Sequence, residues 1–270
     1  MIWINKPTAP EVLTVDGAEQ TRRDCENYNN CADDYHSGKA KFDILGSIYN
    51  ADEVKQSLLA AQHNKCCYCE SKFGATSYGD IEHYRPKRAV RQEPEHLGYW
   101  WLAYVWDNLL VSCEVCNRTY KSTWFPLRNP EARAKTPTDD IDAEEPLLIN
   151  PGLQDPRDHI HFQDDAPVAL DDIGQTTITV LGLRRTDLQE ARLEQLNKIK
   201  MSFRIVYLKA LAAFFDQDEE LKRKSISEFE QFIEEVRGAD AKFSSMAQDS
   251  IDQLLREIEV FGQTLMKSNP

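Results

Sequence analysis

The chain has 270 residues, 41% of them hydrophobic and 29% charged, and a formal net charge of −13. That length supports one or two domains with a real core, and the composition is that of a soluble globular protein. No run approaches the roughly 18 apolar residues of a membrane span, and MIWINKPTAPEVL has no basic region followed by an apolar stretch. The expectation is a cytoplasmic protein with no membrane partner, where paired cysteines read as metal ligands before disulfides. Charge is uneven: residues 1–130 carry 15 Lys+Arg against 17 Asp+Glu, and residues 131–270 carry 17 against 28. The second half would repel phosphates and suits solvent or a protein partner.

Residues 1–50 show little periodicity and contain Pro7, Pro10 and CENYNNCADDYHSG. They read as an extended N-terminal arm wrapping the next unit. Cys25, Cys31 and His36 have the spacing of no common metal knuckle and read as free side chains. Residues 51–130 form a compact unit that opens with a helix over 51–64, carrying Val54, Leu58, Leu59 and Ala61 at helical spacing. Residues 131–183 read as a linker with short strands, beginning with the polar, proline-containing ARAKTPTDDIDAEEP (132–146). EEPLLINP then re-enters a core, followed by short strands near HIHF, PVAL and TTITVLGL. His159 and His161 alternate along one of these and are expected to pack or solvate there. Residues 184–270 are helical. Thr186 and Gln189 have the spacing of a capping box, Leu188, Leu196, Ile199 and Phe203 continue at helical spacing, and two more helices are expected over 217–237 and 241–266 with Gly238 between them. The fold class is α+β, with a mainly α-helical C-terminal region.

The chemistry concentrates in the second unit. Cys66 and Cys69 form one Cys-x-x-Cys turn, and Cys113 and Cys116 form another. Two such knuckles bring four thiolates to a structural Zn²⁺ and leave it no open position for catalysis. Cys67 lies between ligands and reads as a packed thiol, interchangeable with Cys66 on sequence alone. Between the pairs lie Glu82-His83 in DIEHYRPK and Asn108 in WDNLL, and Asn117 follows the second pair. Phosphodiester hydrolysis needs a base for water and a cation for the leaving oxygen. His83 suits the first task, while Glu82 and Asn117 offer oxygen ligands suited to catalytic Mg²⁺ or Mn²⁺. Neighbouring residues of a strand point to opposite faces, so Glu82 and His83 share a site only where the strand ends, a break that Pro86 permits. Arg85, Lys87, Arg88 and Arg91 are either a solvated face or phosphate contacts. Their place beside the proposed centre favours nucleic-acid binding. Trp100, Trp101, Trp106 and Trp124 are expected to pack.

The order Glu-His-x-x-Pro, Asn-Leu, Cys-x-x-Cys-Asn, with Lys121 just beyond, resembles the HNH endonucleases of ββα-metal fold. The resemblance implies a ββα-metal core stapled by the four-cysteine zinc site. It makes His83 the general base, Asn108 the residue that pins the hairpin and orients it, and Glu82 and Asn117 the ligands of the catalytic metal, with Lys121 added to the nucleic-acid contacts. This chain has Glu where Asp is commonest and Asn where His is commonest, and both can ligate a hard cation. CCYCES, DIEHYRPK, GYWWLAYVWDNLLVSCEVCNR, FPL and EEPLLINP, in that order, resemble more narrowly the HNH subunit family of Septu anti-phage systems (PtuB) and related retron-associated effectors. That implies a nuclease working with an ATPase subunit (PtuA-like) in defence against phage, and the acidic helical region is compatible with docking on it; the nucleic acid expected is DNA before RNA. The competing expectations are a zinc-knuckle binding module without chemistry and a scaffold subunit.

Overall fold

The computed structural model describes residues 1–74, 77–216 and 218–268. Residues 11–17 lead into helix α1 (Ala18–His36), so most of the stretch expected to be an extended arm is helical. Few apolar residues mark this helix in the sequence. It is propped by exposed Glu19–Arg22, Glu19–Arg23 and Arg22–Glu26 ion pairs. It buries little more than Leu13, Gly17, Asp24 and Tyr35. Gly17 is needed because a Cβ there would lie 2.7 Å from Tyr104 Cβ. Helix α2 (Asp52–Ala61) buries Val54 and Leu58 and delivers the chain to the first cysteine pair.

Strands β1 (Asp80–His83) and β2 (Leu109–Ser112) form an antiparallel ribbon that pairs Glu82 with Leu110 and His83 with Leu109. A short, widely wound helical segment, Val115–Lys121, follows at once. The ribbon is shielded by α2, whose terminal Gln62 acts as a substitute strand: its side-chain amide donates to Val111 O (2.7 Å) and accepts from Val111 N (2.8 Å). Trp100 and Trp101 are buried beside Tyr84, Tyr99 and Phe125, which forms the second wall of this region.

HIHF and PVAL fall on a second antiparallel ribbon, β3 (Ile160–Gln163) with β4 (Ala166–Ala169). TTITVLGL does not form a strand. It lies on helix α3 (Asp172–Val180) and the turn after it, started by the Asp171 carboxylate accepting from Gly174 N at 2.7 Å. Thr177, Ile178 and Leu181 are buried. That spacing is helical, and the cap plus burial overrides the strand preference of a Thr/Ile run. Helices α4 (Thr186–Phe214), α5 (Glu219–Arg237) and α6 (Ser244–Ser268) complete the chain. The expected capping box is not formed: Arg185 is the N-cap, without a side-chain cap bond, and Thr186 is already in the helix. One core joins Cys66, Cys69, Cys116 and Leu110 to Leu188, Leu196, Phe203, Phe243 and Ile251, so the helices share their packing with the cysteine knuckles. Beyond that core the second half of α4 presents Met201, Ile205, Leu208, Phe214 and Phe215 to solvent. Among the described residues, no helix is long and apolar enough to cross a membrane.

Candidate metal centre and catalytic cleft

Cys66, Cys69, Cys113 and Cys116 converge, with all four sulfurs within 4.8 Å of one another. Cys69 Sγ and Cys113 Sγ are 3.8 Å apart, and a tetrahedral ZnS₄ centre with bonds of about 2.3 Å has edges of about 3.8 Å. The cluster could therefore hold a metal ion, and its all-sulfur donor set fits zinc. Each knuckle is closed by backbone: Glu70 N donates to Cys66 O and Asn117 N to Cys113 O. Cys67 is buried outside the cluster, with its N–H on Val111 O, which settles the choice left open between Cys66 and Cys67. Hydrogen bonds from Cys113, Cys116 and Cys66 hold the Cys69 thiol well below its ordinary range. Arg185 Nη1 stands 3.7 Å from Cys116 Sγ and the buried Arg192 lies close by. These cations from the C-terminal helices offset thiolate charge.

On the other side of the ribbon a cleft of about 610 Å³ is lined by Glu82, His83, Lys87, Arg88, Asn117 and Arg118, with Tyr49 and Lys55 opposite. Gly79 opens β1 at φ +67, and a Cβ there would strike Val111 and Phe73. β1 ends at His83, which lets both members of the Glu-His pair line one cleft. His83 Nε2 is 3.0 Å from Ala103 O. A carbonyl only accepts, so Nε2 carries the hydrogen and Nδ1 presents a lone pair. Burial, reinforced by Lys87, holds this imidazole well below its ordinary pKa and keeps it neutral. Asn108 lies behind the cleft. Its Oδ1 accepts from Arg85 N (2.7 Å), and its Nδ2 donates to Arg85 O and Leu102 O (3.1 Å each). It thereby ties the turn after His83 to the residue preceding Ala103.

Glu82 is buried, and its Oε1 lies 2.6 Å from Lys121 Nζ and 3.5 Å from the Tyr68 hydroxyl. Burial raises the Glu82 carboxyl above its ordinary range while Lys121 pulls it back. Among the described residues Glu82 Oε2 and the Asn117 side-chain amide have no hydrogen-bond partner, and both residues line the cleft. Both offer oxygen donors of the kind a hard cation takes.

Two expected nucleic-acid contacts are engaged inside the fold. Lys121 is fully buried, bridging Glu82 and His83 O, and Arg85 is committed to Glu144 (2.8 Å) and Ile141 O. Neither lines the cleft. Lys87 lies against His83, Arg88 is exposed on the cleft, and Arg91 is exposed over the Trp124 ring. Arg118, paired with Asp80, and Lys55 stand on the rim. Nothing local marks them, since their place depends on how α2 and the segment 115–121 pack on the ribbon. Cys25, Cys31 and His36 lie on α1, with His36 bonded to Tyr28. His159 pairs with Asp171, and His161 is exposed.

No family model matches the chain, and no solved structure matches it. The chain is similar to two curated proteins, both called Septu protein PtuB. One, from Bacillus mycoides (strain KBAB4), is 37% identical over 188 residues, covering 65% of this chain and 63% of that protein. The other, from Bacillus thuringiensis, is 29% identical over 188 residues, covering 69% and 56%. The chain thus spans less than two thirds of the length of either relative. Over part of its length the chain is similar to PtuB proteins, and it carries a four-cysteine site that could hold a metal.

Proposed function

We propose that this protein is a metal-dependent endonuclease of the HNH type, with a ββα-metal core, acting as the nuclease subunit of a Septu-like antiviral defence system. The observation that carries this reading is His83: a neutral imidazole whose Nε2 is tied to a carbonyl and whose basic Nδ1 faces a cleft also lined by Glu82 and Asn117. The β1–β2 ribbon followed by the segment 115–121 supports the ββα assignment, and similarity to Septu proteins supports the defence role.

In this mechanism His83 Nδ1 takes a proton from water, whose oxygen attacks phosphorus as the P–O bond to the leaving oxygen breaks. Asn108 holds the turn and the Leu102–Ala103 carbonyl region against which the imidazole is oriented. Glu82 and Asn117 would hold Mg²⁺ or Mn²⁺, which supplies charge neutralisation for phosphate and leaving group. Zinc in the cysteine cluster is structural, fixing the ribbon against the C-terminal helices. Arg88, Arg91, Arg118 and Lys55 contact the backbone of nucleic acid, DNA in preference to RNA. The acidic helical region docks an ATPase subunit, and the exposed Met201, Ile205, Leu208 and Phe215 are the apolar stripe such a contact would cover. The test is incubation of plasmid DNA and total RNA with Mg²⁺ or Mn²⁺, beside the His83→Ala protein. Cleavage that persists undiminished in that variant refutes the assignment.

A further inference from the structure

The nitrogen that would take the water proton is already engaged. Lys87 Nζ lies 3.0 Å from His83 Nδ1. Because Nε2 spends its hydrogen on Ala103 O, Lys87 is the donor and the imidazole the acceptor. The same ammonium rests on the Tyr49 ring, 4.3 Å from its centroid. Among the described residues no carboxylate lies within ion-pair distance of Lys87; Glu82 and Asp80 act on it only through space, and its direct contacts are a neutral ring nitrogen and a π face. An ammonium in that position fills the lone-pair lobe that an attacking water needs.

We propose that Lys87 is a substrate-responsive cap on His83: it holds Nδ1 in the free protein, and the phosphate of an entering nucleic acid draws it off. This rests on the nuclease reading and adds to it a regulation of the same site. A phosphate oxygen is a far stronger acceptor for an ammonium than a neutral imidazole is, because the bond is charge-assisted on both sides. A lysine suits the task where an arginine would not, since its point charge sits on a flexible four-carbon stem that can swing without backbone movement. Tyr49 holds the ammonium on its ring face at the start of that swing. After release, Nδ1 is free for water and Lys87 remains on the phosphate as a positioning residue. The cleft is thereby kept from activating water until a phosphate is present.

The test uses the full-length protein labelled with ¹⁵N-histidine, its His83 signal assigned with His83→Ala, and a short oligonucleotide added without divalent cation so that none is cut. In the wild type the oligonucleotide is expected to move the Nδ1 resonance toward the position it has in free Lys87→Met. In Lys87→Met, shown to be folded by circular dichroism, the oligonucleotide is expected to leave it in place. Kinetically, Lys87→Met should raise KM about ten- to a hundredfold, the range expected for one lost charged hydrogen bond, with a smaller effect on kcat and partial rescue by Lys87→Arg. A free-protein Nδ1 resonance identical in wild type and Lys87→Met overturns the cap, whatever the activity. A bound oligonucleotide that leaves the wild-type resonance unmoved, or a Lys87→Met protein with wild-type KM, does so as well. Loss of the nuclease reading is separately visible as cleavage unaffected by His83→Ala.

Discussion

Removing the base and removing its support should separate cleanly. His83→Ala is expected to lower cleavage by about 10²–10⁴-fold, the usual share of a general base, with zinc content and melting temperature unchanged, as plasmid assays and elemental analysis would register. Because burial holds the imidazole below its ordinary range, the proposed base is already neutral at pH 6.5. The acid limb of kcat/KM should therefore lie below that value, and a limb at or above pH 7 would contradict the assignment. Asn108→Ala breaks three hydrogen bonds around a buried amide and should cost about 2 kcal/mol or more in urea unfolding, in addition to activity. Asn108→Asp should not restore it, since two of the three bonds need a donor facing a carbonyl.

The ribbon, the segment 115–121 and the start of α4 meet at the cysteines, so charge changes on these elements have different meanings. Lys121→Met leaves Glu82 buried without its cation. It should destabilise the fold by about 3 kcal/mol or more while leaving the salt dependence of nucleic-acid binding unaltered. Arg88→Glu and Arg91→Glu should leave stability alone and reduce the salt slope by about one unit per phosphate contact. Filter binding at several salt concentrations, beside urea melts, distinguishes the two. Zinc should be present at about one equivalent, and its chelation should loosen the first turns of α4 before its exposed second half, because Arg185 and Leu188 sit on the knuckles. Hydrogen exchange across residues 183–215 would show this, and uniform protection after chelation would rule it out.

At the scale of the molecule, the knuckles are bound to α6 by a buried polar cluster. Glu70 accepts from Ser244 and Ser245 and pairs with Lys65 and the Met1 ammonium. Burial alone would raise Glu70, but the ammonium and Lys65 prevail and hold it well below the ordinary carboxylate range. A depressed carboxyl stabilises the fold above its unfolded pKa of about 4.3 and loses that contribution as pH falls toward the folded value. Urea midpoints should accordingly drop steeply below about pH 4, and Glu70→Gln, less stable at neutral pH, should show a flatter decline. Because the core is continuous from Cys66 to Ile251, cutting at residue 184 would open it. Docking of an ATPase is better tested by charging Met201, Ile205 and Leu208, which are exposed, than by deletion.

The sequence by itself determined what short spacing encodes. Two Cys-x-x-Cys turns select four sulfurs, and a Glu-His pair at a strand end beside Asn117 marks a cleft. Long apolar periodicity marks α4, and alternation marks β3. Tertiary structure decided what depends on partners distant in the chain. Helix α1 buries too few apolar side chains to announce itself, and α3 took its helical form from a cap and a buried face against a strand-like run. The basic residues look alike in sequence, yet Glu144 claims Arg85, Glu82 claims Lys121 and His83 receives Lys87. A charge's role is fixed by the nearest opposite charge and by its distance from water, and neither quantity is local to the chain.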